Sequence, residues 1–282
     1  MQRSKRKSLG QHFLKDRKVL RRILREIGPR PDELIIEIGA GRGVLTFPLS
    51  QKAGQVAAIE KDAALIPCLR KKNIANLTIL EKDVLSIHFR EIIEAHQNFQ
   101  RKVKLVGNLP YSISGPLLFN ILKEKELFQK CVFLLQREVG ERVCSRPGSK
   151  KYAPLSILIQ IHFEARLHTV IPPEAFSPPP QVESALVSLD RREVPLFFIR
   201  DESRFSMFLK DAFKHRRKIL LNNLIRSGLP SSRLEEAYQK IGLERNVRPE
   251  QLSISRFVQL FDFLHGRRQL YSPYNRAVKK NC

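Results

Sequence analysis

ELIIEIGAGRGVLT, residues 33–46 of a 282-residue chain, decides the fold. Its first half is a short apolar run that predicts a buried β-strand, and glycines at 39, 41 and 43 then lead into a helical segment. Glycines in such a turn let a ligand approach the backbone closely and let the helix pack against the strand. The stretch therefore predicts the first strand of an α/β domain, with a ligand site at the turn.

The segments that follow repeat this alternation of strand and helix. Helices are predicted near residues 43–52, 62–72, 88–97 and 115–127. The strands predicted around them read ELIIEIG, QVAAIE, LTILEKD, KVKLVGN and CVFLLQ, with two further ones, LSILIQIHF and ALVSLDR, on either side of FSPPPQVES. Strands that alternate with helices predict a parallel sheet covered on both faces, in an α/β fold whose ligands bind at the carboxyl ends of the strands.

The sheet pattern stops near Arg191, and helical segments follow, among them SRFSMFLKDAFKHRRKILLNNLIRSG, SSRLEEAYQKIG and PEQLSISRFVQLFDFLHG. A chain of this length is about twice the commonest domain size of roughly 100–150 residues. We therefore predict two domains, an α/β domain over residues 1–192 and a smaller all-helical domain with a basic tail over residues 193–282.

The charge balance predicts an anionic partner. The chain carries 51 Lys and Arg against 28 Asp and Glu, a net charge of +23. Nucleic acid is the leading candidate, because a surplus of this size suits a phosphate backbone, and a membrane surface is second. Residues 1–30 alone hold eleven Lys or Arg and two acids, and a helix is predicted there between an N-cap at Asp16 and a stop at Gly28. Its arginine-rich face fits either phosphate contact or a solvated surface.

The cysteine and histidine patterns predict neither a disulfide framework nor a metal site. Four cysteines are scattered without a C-x-x-C pair, and the seven histidines are equally dispersed. No apolar run approaches the ~20 residues that cross a bilayer, and no signal-peptide core follows the basic N-terminus. A cytoplasmic protein is expected, with an Arg-rich organellar presequence as the alternative.

Acidic residues at the ends of neighbouring strands outline an adenosine pocket. Glu60 ends the second strand, 21 residues after Gly39, where a carboxylate can accept both hydroxyls of a ribose. Asp83 ends the third strand, where its carboxylate can accept the amine of an adenine. Each acid taken singly is also a plausible helix N-cap.

The fourth strand ends in NLPY, residues 108–111. Pro110 has no N–H and holds Leu109 extended, so that local carbonyls can point outward as acceptors instead of closing a helix. Asn108 adds a side-chain carbonyl and Tyr111 a flat π face, a combination that suits the exocyclic amine of a nucleobase. Two acceptors on that amine would return electron density to its nitrogen and orient it toward an electrophile. The alternative for NLPY is an ordinary turn with Tyr111 in the core. Phe176 in AFSPPPQVES fits either a second aromatic wall of the base site or a residue of the core.

The chain shares an ordered series of motifs with one family: KSLGQHFL, EIGAGRGVLT, AIEKD, EKDV, GNLPYSIS, QREVGERV, FSPPPQVESA and HRRKILLNNL. It resembles, over nearly its whole length, the bacterial 16S rRNA adenine dimethyltransferases. The resemblance implies a Rossmann-like class I methyltransferase sheet, a smaller C-terminal helical domain, S-adenosylmethionine as cofactor, and transfer of two methyl groups to N6 of each of two adjacent adenosines near the 3′ end of small-subunit rRNA. Ser112 and Gly115 depart from the family's usual residues in the NLPY loop.

The resemblance also implies roles for single residues. Asn108 would serve both the cofactor pocket and the target amine, the Pro110 carbonyl would be the second acceptor, and Tyr111 and Phe176 would sandwich a flipped base. The small-subunit precursor would be the partner, and a monomer is expected. The implied cofactor-binding residues are His12, Leu14, Gly39, Gly41, Glu60, Asp83, Val84 and Asn108. From their charge, the basic helices at both ends of the chain are the predicted RNA-binding surfaces, and the candidate contacts are Arg216, Arg217 and Lys218.

Four other functions remain as alternatives. A DNA adenine methylase uses a similar loop, but Leu109 stands where that class has proline. An NAD-linked oxidoreductase would place its third glycine at position 44, which is Val44, and Glu37 inside the strand is not part of its fingerprint. The third and fourth alternatives are a large-subunit rRNA adenine methylase of the resistance type and a noncatalytic ribosome-assembly factor.

Overall fold

A computed structural model describes residues 11–96 and 103–266 of the chain. The chain divides into two compact units, Met1–Glu141 with Glu164–Arg191, and Arg142–Phe163 with Arg192–Cys282. The sequence predicts one boundary, at residues 192–193. The structure has a division one residue earlier, between Arg191 and Arg192, and it also assigns 142–163 to the second unit.

The first unit contains the predicted sheet. Its helices are α1 Arg17–Ile27, α2 Thr46–Ser50, α3 Ile66–Arg70, α4 Phe89–Glu94, α5 Ser114–Lys123 and, at the division, α6 Arg137–Val143. A separate short pair consists of β1 Phe13–Leu14 and β8 Phe176–Ser177. The strands of the large sheet are β2 Leu34–Ile38, β3 Gln55–Glu60, β4 Leu77–Glu81, β5 Val103–Asn108, β6 Lys130–Gln136, β7 Phe163–Ile171 and β9 Ser184–Arg191.

The strand order in this seven-stranded sheet is β4-β3-β2-β5-β6-β9-β7, which confirms the α/β class. The five strands from β2 to β6 are parallel, and β9 pairs with β6 in the antiparallel sense. All five residues of β2 are buried, because the strand lies in the middle of the sheet. The chain leaves β2 toward β3 and β4 and returns to β5 on the other side. The strand order therefore reverses between β2 and β5, the point where ligands of such sheets bind.

The helix predicted after Asp16 is present as α1, and both of its ends are fixed. The Asp16 carboxylate accepts hydrogen bonds from the backbone N–H groups of Lys18 at 2.6 Å and Val19 at 3.1 Å, and Gly28 ends the helix in the left-handed conformation. The Nζ of Lys104, on β5, donates to the carbonyls of Ile27 at 2.9 Å and Gly28 at 2.8 Å. A buried cation at the carbonyl end of a helix interacts favourably with its dipole, so α1 is held firmly on the sheet.

The arginine-rich face of α1 points to solvent. Its apolar side buries Ile23 and Ile27 in the core. Five basic side chains, at positions spaced along the opposite face, are exposed: Arg17, Lys18, Arg21, Arg22 and Arg25.

The second unit is helical around an aromatic core, in which the rings of Phe205 and Phe261 meet edge to face at 5.1 Å. Its helices are α7 Pro154–His162, α8 Glu202–Ala212, α9 Leu220–Arg226, α10 Ser231–Ile241 and α11 Ile254–Leu264.

One prediction about this part of the chain was wrong. LSILIQIHF is predicted as a strand because burial on most sides hides its helical period, but residues 155–162 belong to the helix α7 and only Phe163 begins a strand. The predicted helical segment from residue 203 contains two helices, α8 and α9. The side chain of Asn223 donates to the carbonyls of Ala212 at 2.8 Å and His215 at 3.2 Å and so completes the end of α8.

Three further observations concern the described residues alone. Cys68, Cys131 and Cys144 are unpaired there. Over 11–96 and 103–266, no three His, Cys, Asp or Glu side chains are grouped as a metal site would require. No helix in those ranges is long and apolar enough to cross a membrane.

Candidate active site

A cavity of about 320 Å³ lies in the first unit at the carboxyl ends of β2, β3 and β5. It is therefore found where the strand order reverses. Of the residues that the sequence predicts for the site, the cavity brings together His12, Leu14, Gly39, Gly41, Glu60, Asp83, Val84, Asn108, Pro110 and Tyr111.

The glycine-rich turn after β2 leaves room for a ligand against the backbone. Gly39 and Gly41 have φ values of +71° and +57°, which L side chains rarely adopt. A Cβ added to Gly41 would lie 3.2 Å from the ring of Phe13. The backbone conformation thus favours glycine at both positions, and at Gly41 the β1 segment that covers the turn leaves little room for a side chain.

Glu60 fixes the shape of the turn. One carboxylate oxygen accepts the N–H of Gly41 at 2.7 Å, and the other accepts the N–H of Asp62 at 2.8 Å. The side chain is buried at the end of β3. A carboxylate oxygen can accept more than one hydrogen bond, so Glu60 can hold the turn and still accept a ligand hydroxyl.

Asp83 carries two partners. Its Oδ1 accepts the N–H of Leu85 at 3.0 Å, as the N-cap of a short 3₁₀ helix, and its Oδ2 accepts from the Nζ of Lys61 at 2.7 Å. The hydrogen bond from Lys61, followed by that from Leu85, lowers the pKa of Asp83 below its ordinary value. Asp83 is therefore both an N-cap and an ionised carboxylate at the rim of the cavity.

Asn108 ends β5 and is tied to the N-terminal segment. Its Nδ2 donates to the backbone carbonyl of His12 at 2.7 Å, which leaves Oδ1 as the acceptor at the cavity. The Nδ1 of His12 lies 2.8 Å from the carbonyl of Pro178.

Tyr111 presents a ring beside Asn108. Its hydroxyl lies 2.8 Å from the Oγ of Ser184, and its ring centroid is 5.8 Å from that of His12 at a tilt of 31°. Burial raises the pKa of the Tyr111 phenol. The ring is half-buried, held at its hydroxyl end, and available as a stacking surface.

The Pro110 carbonyl differs from the expectation. It accepts the N–H of Ile113 at 3.1 Å and the Oγ of Ser114 at 3.2 Å, and so closes the turn that leads into α5. Pro110 has no N–H to donate, as expected. However, residues 111–114 fold back, and their two donors occupy both acceptor positions of its carbonyl.

The chain matches the family model described as ribosomal RNA adenine dimethylase over residues 2–265. The chain belongs to this family. Ribosomal RNA small subunit methyltransferase A of Alcanivorax borkumensis is 40% identical over 256 residues, 90% of this chain and 88% of the relative.

Two solved structures share the fold of this dimethylase family member. One is described as the 23S rRNA methyltransferase ErmE, with a TM-score of 0.69 and 25% identity over 90% of this chain and 99% of that one. The other is a dimethyladenosine transferase from Plasmodium falciparum, with a TM-score of 0.77 and 23% identity over 88% and 96% of the two chains.

Phe176 is a predicted catalytic residue, but it does not line the dimethylase cavity. It is 1% exposed, pairs with Leu14 across the β1–β8 ladder, and packs in the cluster that contains Leu14 and Leu134. Those two neighbours do line the cavity. Phe176 is therefore a core aromatic that packs behind the residues lining the cavity. To stack on a substrate base, as the other interpretation requires, its ring would have to leave the core.

Several residues of the dimethylase cavity were not predicted. Phe13 covers the glycine turn and carries the guanidinium of Arg42 at 4.9 Å from its ring centroid. Glu37 and Lys61 also line the cavity. The motifs KSLGQHFL and AIEKD contain Phe13 and Lys61, but nothing in the sequence distinguishes them from their neighbours.

The predicted RNA-binding triplet lies in the second unit of the dimethylase, in the turn between α8 and α9, and is exposed. Arg216 has a structural use there, since its guanidinium donates to the carbonyls of Lys150 and, at 3.2 Å, Tyr152. Arg217 and Lys218 keep their charged groups at the surface.

Proposed function

We propose that this chain transfers methyl groups from S-adenosylmethionine to N6 of two adjacent adenosines near the 3′ end of small-subunit rRNA. The observation that carries the proposal is the orientation of Asn108. Because its amide nitrogen donates to the His12 carbonyl, its oxygen is left to accept a hydrogen bond at the mouth of the cavity, beside the ring of Tyr111.

The residues present fit the cofactor. The glycine turn, which a single Cβ at Gly41 would crowd, suits the methionine part. The buried carboxylate of Glu60 suits the ribose, and the ionised carboxylate of Asp83 suits the adenine. When bound, S-adenosylmethionine supplies an electrophilic methyl group. His12 and Leu14, on the segment that crosses the cavity, would exclude water from it.

On the target side, Asn108 Oδ1 accepts one hydrogen of the adenine amine and Tyr111 stacks on the ring. An accepted hydrogen bond pulls the amine out of conjugation with the ring and directs its lone pair. The Pro110 carbonyl can supply the second acceptor if Ser114 rotates its hydroxyl away, since that bond, at 3.2 Å, is the one a side-chain rotation can release. After transfer the nitrogen is cationic and loses its proton readily, so no strong base is required.

The exposed cations support an RNA substrate. In the first unit, five basic side chains cover one face of α1, the helix that follows the cavity-lining residues 11–14. In the second unit, Arg217 and Lys218 are exposed. Lys and Arg that face solvent on a rigid helix are suited to phosphate groups.

The small subunit is the preferred substrate because the 40%-identical relative carries that activity in its name, whereas the 23S rRNA methyltransferase is 25% identical. The latter shares the fold over nearly the whole chain and keeps the large subunit as the second candidate. We further propose that the protein works as a monomer in the cytoplasm, as expected from the sequence.

One experiment tests the substrate. The protein and labelled S-adenosylmethionine are incubated with small subunits, and separately with large subunits, from a strain that lacks both modifications, and the methylated nucleotides are mapped. Two adjacent dimethyladenosines near the 3′ end of the small-subunit rRNA are expected. Methylation of large-subunit rRNA alone would establish the second candidate, and methylation of neither would leave an RNA-binding role.

A further inference from the structure

Glu37 is a buried carboxylic acid that the proposed reaction does not use. It lies on β2, is 2% exposed and belongs to the lining of the cavity. Its Oε2 has no hydrogen-bond partner. A buried polar atom without a partner is unusual and requires an explanation.

The surroundings of Glu37 disfavour a negative charge. Its partners on the neighbouring strands are Ala58 on β3 and Val106 on β5, and both are fully buried. The hydroxyl of Thr46 on α2 lies close enough to oppose the rise in the pKa of Glu37, but it makes no hydrogen bond of good geometry. The carboxylate of Glu60 at the end of β3 adds a like charge.

Besides Glu37 and Glu60, the ionisable residues that line the cavity are His12, Arg42, Lys61, Asp62, Lys82, Asp83 and Tyr111.

Burial, with a smaller contribution from the Glu60 charge, raises the pKa of Glu37 to about 8. The group is then largely neutral at pH 7. A cation brought into the cavity would reverse this balance, since an opposite charge within ~4–6 Å favours the ionised form of a carboxyl group.

We propose that Glu37 is protonated in the ligand-free protein and ionises when a cationic ligand fills the cavity, so that ligand binding releases a proton. The proposal rests on the proposed function for the identity of the ligand, because S-adenosylmethionine carries an ammonium and a sulfonium group against one carboxylate. The charge balance is simple: the carboxylic acid and the cation give a carboxylate paired with the cation, and the proton passes to the buffer.

Calorimetry tests the proposal without an activity assay. S-adenosylmethionine is titrated into the full chain at pH 7 in phosphate and in Tris, whose ionisation enthalpies differ widely, and the number of protons released follows from the difference in heat. We expect most of one proton per site at pH 7, since a group with a pKa one unit above the pH is about nine-tenths protonated.

Two variants and a direct titration complete the test. Glu37→Gln should bind without buffer-dependent heat, whereas Glu94→Gln, an exposed substitution on α4 with the same change of charge, should release as many protons as the wild type. If Glu37→Gln does not fold, carbon-13 NMR of the wild-type Glu37 carboxyl replaces it, with a fall in pKa on addition of ligand expected.

The outcomes separate the two proposals. Binding with no proton release, or an unchanged release from Glu37→Gln, would overturn the role of Glu37 and leave the methyltransferase function standing. Failure of S-adenosylmethionine to bind at all would overturn both.

Discussion

The side-chain amide of Asn108 donates a hydrogen bond of 2.7 Å to the backbone carbonyl of His12, 96 residues earlier in the chain. The contact joins the end of β5 to the N-terminal segment that lines the cavity. It also fixes which end of the amide faces the cavity, because an amide nitrogen can only donate. The Nδ2 atom of Asn108 thus holds the N-terminal segment, and its Oδ1 atom is the acceptor at the cavity.

Replacement of Asn108 should separate catalysis from RNA binding. Asn108→Ala removes the acceptor and is expected to lower single-turnover methyl transfer by ~10²-fold or more, the usual effect of deleting one preorganised hydrogen-bonding group. RNA affinity, measured by filter binding, should stay within about twofold, since the cationic surfaces are unchanged. A fully active variant would remove Asn108 from the mechanism.

The Lys61–Asp83 pair should influence the titration of Asp83 much more than the stability of the fold. Lys61→Met is expected to raise the pKa of Asp83, because its largest stabilising partner is lost. Since the side chains are 60% and 34% exposed, the free energy of unfolding should change by less than ~1 kcal/mol. Carbon-13 NMR of the Asp83 carboxyl measures the titration, and urea unfolding measures the stability.

The sign of the pH dependence follows from the lowered pKa. The pairing stabilises the fold above the ordinary Asp pKa of ~3.9 and is lost as the pH falls through the folded-state pKa of Asp83. Any difference between wild type and Lys61→Met should therefore be present at pH 7 and decline below pH ~4. An Asp83 pKa that does not respond to the substitution would contradict the pairing.

Loss of Lys104 should destabilise the first unit strongly. Its Nζ makes a 2.8 Å ion pair with Glu33, with side chains only 8% and 4% exposed, and also binds the end of α1. Lys104→Met leaves a buried carboxylate unpaired and is expected to cost ~3–5 kcal/mol of unfolding free energy. The chain has no Trp, so urea unfolding is followed by circular dichroism.

The double variant Glu33→Gln with Lys104→Met is the control for this pair. It should be less destabilised than the sum of the two single variants, because no charge is left unpaired. Strict additivity would show that the two groups do not interact.

RNA binding should depend on α1 and only partly on the triplet in the second unit. Neutralising Arg21, Arg22 and Arg25 together should reduce the slope of log affinity against log salt by ~2–3, since each phosphate contact contributes roughly 0.7–0.9. The Arg217→Ala and Lys218→Ala double variant should reduce it by less than ~2.

Arg216→Ala is the matched comparison within that triplet. Because the guanidinium binds two backbone carbonyls, its loss should lower the melting temperature and leave the salt slope unchanged. A salt-independent affinity of the wild type would contradict phosphate contacts altogether.

The sheet is predictable from the sequence because its parallel strands are short apolar runs that end in Gly, Asn, Gln or an acid, each with a following helical segment. The misassigned segment lacks such a local signal. The residues of α7 are buried on most sides, so burial hides their period. The break between α8 and α9 depends on Asn223, which acts from the far side of a turn. β7 does have a local signal, since Phe163 to His168 alternate strictly between apolar and polar side chains, the pattern of a half-buried strand.

The candidate site divides along similar lines. Glu60, Asp83 and Asn108 can be placed from sequence, because strand ends converge at one edge of a parallel sheet. The hydrogen-bond partner of each side-chain atom cannot be predicted from the sequence, because the Asn108 contact with His12 and the Lys61 contact with Asp83 join segments that are distant or unremarkable in sequence. The burial of Phe176 depends likewise on the pairing of β1 with β8.

That pairing sets an order of events during synthesis of the chain. Leu14 pairs with Phe176, 162 residues later. At a translation rate of ~5–20 residues per second, the N-terminal segment waits roughly 10–30 s for its partner strand to be made. The central strands can form in that interval, but the segment that lines the cavity cannot be seated. A nascent chain that ends before residue 176 therefore has its cationic N-terminal helix without a finished pocket, and the ability to hold a small ligand is acquired only after most of the first unit has been translated.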